Sequence, residues 1–221
     1  MSDTDSFIDE VTEEVRRDRL FALMRRYGWI AVLVVLLIVG GTAWNEWRKA
    51  QARETAQSFG DALMAGLGSG ASDASAAALS SVEAPNPGAA AIRDLLAAAE
   101  SMEATPQEAA SRLLVLADSD GVEPVYRQIA ILKAVAMPGS GLSAEERRSR
   151  LEGLALSEGL ARLLAEEQLA LIDVETGDTQ GALKRLQAVA ADAQATPGLR
   201  RRASQVIVAL GGELPGSGQA E

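Results

Sequence analysis

The chain has 221 residues and a formal net charge of −10; 48% of it is hydrophobic but only 4% aromatic, and it contains no cysteine and no histidine. Those absences exclude disulfides, thiol nucleophiles, imidazole bases and zinc sites built on Cys or His. The acidic balance argues against a nucleic-acid backbone as partner, and an apolar fraction dominated by Ala and Leu favours helices over a sandwich or barrel.

Residues 1–27 form the first segment. Phe7, Ile8, Val11, Val15 and Leu20 recur at helical spacing, and Ser6 followed by Asp9 and Glu10 reads as a helix start. A short amphipathic helix is expected here; the sharper alternative is a docking element for a cytoplasmic partner or the bilayer surface. Seven acidic residues in this segment argue against tight binding to anionic lipid.

Residues 28–47 form a predicted transmembrane helix. The run WIAVLVVLLIVGGTAW, from Trp29 to Trp44, has no charge. With its flanks it is about 20 residues, the length that crosses roughly 30 Å of hydrocarbon. Tyr27 and Trp29 at one end and Trp44 and Trp47 at the other are the expected membrane-interface residues, since amphipathic rings prefer the headgroup level. Gly41-Thr42-Ala43 offers small residues to a peptidase, but the preceding region is too long and too acidic for a cleaved signal, so an uncleaved signal anchor is expected. Arg16, Arg17, Arg19, Arg25 and Arg26 precede the helix, against Arg48, Lys49 and Arg53 after it. This balance puts the N-terminus in the cytoplasm and the rest outside it, which in a bacterium is the periplasm.

Residues 48–88 read as a helical stalk and linker. Ala52, Ala56, Phe59, Leu63 and Leu67 mark one stripe, Gly66-Leu67-Gly68-Ser69-Gly70 breaks it, and 71–88 reads as a short helix followed by a loop holding Pro85 and Pro87. Residues 89–212 read as a helical repeat domain. Helices are expected over 89–103, 106–117, from Pro124 to Met137, over 144–156, 159–175 and 179–192, and from Thr196-Pro197 to Gly211-Gly212. Pro106 and Pro124 suit a first helical turn, and Ser143 with Glu146 makes a capping box. Residues 213–221 are expected to be a disordered tail.

Helices of this length joined by short turns are antiparallel neighbours. In 159–192, Leu169, Ala170, Gly177, Ala182 and Leu186 are the expected packing residues: Ala170 and Ala182 permit a close helix crossing, and Gly177 the turn between. This pair resembles a tetratricopeptide repeat. Glu166 stands where that motif prefers Trp, Asp173 where it prefers Tyr, and Val189 where it prefers Ala, so a degenerate repeat is expected, with two to four copies in the chain. The fold class is therefore all-α: one transmembrane helix, then an α-solenoid of degenerate tetratricopeptide-like hairpins.

The whole layout resembles the YfgM-like family, bacterial ancillary subunits of the SecYEG translocon. The resemblance rests on the acidic N-terminal helix, the Tyr-Gly-Trp entry and Trp-x-x-Trp exit of the membrane helix, and the segments Pro124-Val125-Tyr126-Arg127-Gln128-Ile129-Ala130, Ala165-Glu166-Glu167-Gln168-Leu169-Ala170-Leu171 and Gly177-Asp178-Thr179-Gln180-Gly181-Ala182. Residues 68–90 match nothing in it. The resemblance implies an inner-membrane protein with a periplasmic repeat domain, bound to the translocon and to periplasmic chaperones or secreted chains, with no catalytic residues.

No active site emerges from the residues themselves, and neither a cofactor nor a metal is expected. Glu145-Glu146 and Glu166-Glu167 are adjacent on helices, so each pair points about 100° apart and reads as a solvated face. Gly66 to Gly70 lacks the strand and the Gly-Lys-Thr of a phosphate cradle. Arg147, Arg148 and Arg150, like Arg200, Arg201 and Arg202, read as helix-surface charge. The expected function is a non-enzymatic, membrane-anchored interaction module; the alternative is a structural accessory subunit of another inner-membrane complex.

Overall fold

The computed structural model describes residues 3–70 and 72–215. Among the described residues all regular structure is helical, with nine helices and no strand: α1 (Asp3–Leu67), α2 (Ser72–Ser81), α3 (Pro87–Ser101), α4 (Pro106–Ala117), α5 (Pro124–Ala136), α6 (Ala144–Ala155), α7 (Leu160–Glu175), α8 (Thr179–Ala191) and α9 (Pro197–Ala209). The chain divides into two units, Met1–Gln57 and Ser58–Glu221.

The first unit is helical from Asp3 onward, so Ser6 lies inside α1 and does not open it. The stripe of Phe7, Ile8, Val11, Val15 and Leu20 lies outside the described residues as far as its side chains are concerned. One helix among the described residues is long and apolar enough to cross a membrane; its most apolar window has a mean hydropathy of 2.0, and none of that window is buried. Tyr27, Trp29, Trp44 and Trp47 are all exposed. Trp44 and Trp47, one turn apart, hold their ring centroids 5.2 Å from each other, and the Arg26 guanidinium lies 5.8 Å over the Tyr27 ring.

The second unit starts at Ser58, within the segment expected to be stalk and linker. Leu63 on the last turns of α1 and Leu79 on α2 are buried with Ala97 of α3, and Phe59, Leu67, Val82 and Leu96 pack around them. Residues 58–88 are thus part of the packed unit. Gly66 makes this possible: a Cβ there would meet the Leu79 side chain at 3.1 Å and its backbone nitrogen at 3.3 Å. The glycine that reads as a linker in the sequence is a point of close helix approach. Of the predicted tail, 213–221, residues 216–221 lie outside the described residues, and the Glu213 carbonyl accepts from Gln187 Nε2 at 2.9 Å.

Punctuation by proline and capping residues sets the helix starts. Proline opens α3, α4, α5 and α9, where its missing N–H costs no hydrogen bond. The Asn86 side chain accepts from the Ala89 N–H, Asp178 from Gly181 and Thr196 from Leu199. At α6 the capping box is complete: the Glu146 N–H donates to Ser143 Oγ at 3.2 Å, and the Ser143 N–H donates to Glu146 Oε2 at 2.8 Å.

The Ser143 bonds, side chain first and backbone second, hold the Glu146 carboxyl below its ordinary value; Arg162 and then the Gln194 N–H do the same for Asp192. A carboxylate with a lowered folded-state pKa adds stability above its unfolded pKa of about 4, and that share is lost as pH falls through the lower folded value. The stability gap between wild type and Ser143→Ala is therefore expected to narrow as pH drops below about 4. It should not vanish, because the hydroxyl cap of the Glu146 N–H survives acid. Urea unfolding across this range checks it; a gap that widens in acid contradicts the assignment.

The turn from α7 to α8 takes three residues, Thr176, Gly177 and Asp178. Gly177 has φ 86°, its N–H donates to the Val174 carbonyl at 3.2 Å, and the Asp178 N–H donates to the Asp173 backbone carbonyl at 2.8 Å. This Schellman closure ends α7, and Asp178 then caps α8. A Cβ on Gly177 would meet nothing within 4 Å. Gly177→Ala therefore has a purely conformational cost, expected at about 1 kcal/mol, readable as a shift in urea midpoint at constant slope.

Each helix of the second unit packs mainly on the next one in the chain, and α3, α5 and α7 also touch one another in sequence. The interior is a row of small cores. One joins α3, α4 and α5 around Leu113, a second joins α5, α6 and α7 around Leu151 and Leu169, and a third joins α7, α8 and α9 around Leu186 and Ile207.

Candidate functional site

Four of the five repeat-packing residues named from sequence lie in these cores; Gly177 lies in the exposed turn between α7 and α8. Ala170, Ala182 and Leu186 are fully buried in the α7–α8–α9 cluster, and Leu169 faces the other way, into the α5–α6–α7 cluster. They shape the scaffold and touch no open surface.

One open surface is a mostly apolar groove of ≈ 630 Å³ lined by α5, α7 and α9. It adjoins a smaller recess between α3 and α5, and the two share Lys133 and Ala136. Each helix presents residues at positions i, i+3, i+4 and, on the first three, i+7. They are Leu95, Ala98 and Ala99 on α3 with Met102 at its C-cap; Ile129, Leu132, Lys133 and Ala136 on α5; Leu164, Glu167, Gln168 and Leu171 on α7; and Arg202, Gln205 and Val206 on α9. Such a set forms one face of a helix. Leu95, Ile129 and Leu164 are equivalent positions 34 and then 35 residues apart, and so are Met102, Ala136 and Leu171. That interval is the tetratricopeptide period.

Most of this lining is apolar, and Ile129, Leu171 and Met102 remain exposed. Its polar part is ordered. Glu167, only 7% exposed, accepts from Arg202 Nε and Nη2, both at 2.9 Å. This bidentate pair ties α7 to α9. The bonds and charge of Glu167 outweigh a slight burial effect and hold the Arg202 guanidinium above its ordinary pKa. Glu167 is therefore not part of a solvated face, as the sequence suggested; an arginine 35 residues downstream buries it.

The opposite side of α7 carries a second charged cluster. Asp173, 3% exposed, accepts from Arg148 Nη2 at 2.7 Å and from Arg185 Nε at 2.9 Å, and Glu166 accepts from Arg185 Nη1 at 2.7 Å. Burial alone would lower the Arg185 pKa, but the bonds and charges of Glu166 and then Asp173 raise it. Arg147 pairs with Glu175 and Arg150 with Asp118. The 147–150 cluster is thus a set of ties between α6 and its neighbours rather than free surface charge. Among the described residues no group of three or more His, Cys, Asp or Glu side chains could hold a metal ion. The acidic pairs do not converge on one open space: Glu145 and Glu146 stand exposed in the first turn of α6, while Glu166 and Glu167 are held by different arginines.

Sequence reasoning placed Ile129, Leu132, Leu164 and Leu171 within predicted helices but did not assign them to a site. The available signal was a second apolar stripe on helices whose alanine face already supplies the core.

Antiparallel helices packed in chain order, with an apolar face repeating every 34 or 35 residues, define a helical-repeat protein. The family of tetratricopeptide repeat-like domains matches residues 25–137, just over half of the chain, and the protein belongs to that family. A domain of this kind is a protein-interaction fold. The match ends before α6, so the 159–192 pair lies beyond it. No curated protein and no solved structure matches the chain.

Proposed function

We propose that this protein is a non-enzymatic, membrane-anchored interaction module whose hairpins stack as an α-solenoid and whose groove holds a segment of a partner protein. The observation that carries the reading is the apolar groove across α5, α7 and α9. Its lining repeats with the tetratricopeptide period, and repeat folds use such faces for binding. The charge-free run of α1, Trp29 to Trp44, anchors the module in a bacterial inner membrane, with the N-terminus cytoplasmic and the repeats periplasmic. The aromatic residues at both ends support the span, and the excess of arginine before it supports that orientation. The resemblance to the YfgM-like family supplies the partners: the SecYEG translocon, and the periplasmic chaperones or secreted chains beside it. Anchoring raises the local concentration of the groove where exported chains emerge.

The test is photocrosslinking in native membranes. A photoreactive residue replaces Leu171 in the groove and, as a control, Glu152 on an exposed face of α6. Adducts with translocon subunits, chaperones or exported chains at 171 and not at 152 are the expected result. Adducts with one fixed, unrelated complex would replace this reading with that of a structural accessory subunit.

A further inference from the structure

We infer that the partner segment this groove selects is apolar and carries a carboxylate, which Lys133 engages; the inference rests on the groove reading above. The chain is acidic, with a net charge of −10, yet its groove is not. The charged residues lining the groove and the adjoining recess are Lys133, Glu167 and Arg202. Glu167 is already saturated by the two-pronged bond from Arg202. Lys133 is exposed and makes no ion pair or hydrogen bond among the described residues. It lies where the two stretches of the groove meet, with Leu132 and Ala136 beside it on the same face. The groove is thus an apolar strip with one unmatched positive charge near its middle. Arg202 adds no net charge, since Glu167 neutralises it, but its Nη1 makes no bond among the described residues and remains a hydrogen-bond donor.

Dimensions favour a chain segment over a compact ligand. Helices pack about 9 Å apart, so the strip from α3 to α9 runs roughly 27 Å. An extended segment of about eight residues covers that length. Apolar side chains on alternate positions would fill the stripe around Ile129, Leu164 and Leu171, and an Asp or Glu would reach Lys133. A lysine-bearing segment would place like charges together in a partly desolvated strip, which selects against it.

The experiment uses the full chain in lipid nanodiscs as bait for a random library of roughly twelve-residue peptides displayed on phage, long enough to span the strip. Three baits are compared: wild type, Leu171→Ser and Lys133→Glu. Both substituted residues are exposed, and recovery of each bait as a folded monodisperse species is checked first. For wild type, enriched peptides should be apolar and show an acidic-to-basic ratio about fivefold above the input library, as expected for one solvent-accessible ion pair. Lys133→Glu should invert that ratio, and Leu171→Ser should abolish enrichment. Enrichment of apolar peptides without acidic bias, or a bias unchanged in Lys133→Glu, overturns this inference and leaves the groove reading standing. Enrichment indifferent to Leu171→Ser, or no enrichment at all, overturns the groove reading and this inference with it.

Discussion

Leu186→Ala is expected to destabilise the second unit by about 3–4 kcal/mol, the middle of the range for a buried leucine. Leu186 is fully buried on α8, in the cluster that also holds Leu163, Ala170, Ala182, Ala203 and Ile207. Three of those neighbours are alanines, and an alanine has no side-chain rotamer with which to refill a cavity. The cost then includes both the lost transfer term and a hole that cannot collapse. Its location matters as much as its size. Because each helix packs mainly on its chain neighbours, a lesion in the last core should propagate weakly. Hydrogen exchange of the full chain in detergent is the suitable measurement, since it reads stability segment by segment. Amides of α7, α8 and α9 should lose most of their protection while those of α2, α3 and α4 change little. A loss below about 1 kcal/mol would mean the site relaxes; a uniform loss along the unit would mean the cores act as one.

The same alanine-rich logic explains which features the sequence disclosed. Helix positions were readable because the breakers are chemically loud. Pro106, Pro124 and Pro197 start helices, and Gly177 and Ser143 mark an end and a start. Ala170 and Ala182 announced a close crossing because few other residues allow one. Gly66 misled, since its neighbours Gly68 and Gly70 make the segment look like a linker; only the approach of Leu79 shows that it is a contact. The groove was hidden for a related reason. A helix that buries alanine on one face and leaves leucine on another shows two apolar stripes, and periodicity alone does not say which is outside. Long-range ion pairs were beyond reach as well. Nothing local in Glu166-Glu167 reveals that Arg185 holds the first and Arg202 the second.

The departures from the tetratricopeptide pattern at Glu166 and Asp173 yield the second large expected effect. Where that motif prefers two aromatic residues, this chain places two acids that share Arg185, and Asp173 also takes Arg148 from α6. Asp173→Ala strips the central member. In a fully buried site such a loss costs about 3–5 kcal/mol, because an uncompensated charge stays behind. Here the Arg148 and Arg185 side chains are 25% and 31% exposed. Water therefore takes up part of the charge, and about 2–3 kcal/mol is expected. The triple replacement Arg148→Met, Asp173→Leu, Arg185→Met removes all three charges and refills the volume, and should regain most of that loss, although Glu166 then relies on solvent. Urea unfolding of wild type, single and triple variants, each at low and high salt, tests this directly. Because Asp173 is shielded from solvent, its effect should change little with salt, whereas that of the exposed Arg150–Asp118 pair should fade. If Asp173→Ala is as mild as Asp118→Ala, the cluster is surface decoration. If it is severe and the triple variant recovers, the acids are what replaced the aromatic packing of the repeat, joining α6, α7 and α8 by directed bonds where the motif would have joined them by apolar contact.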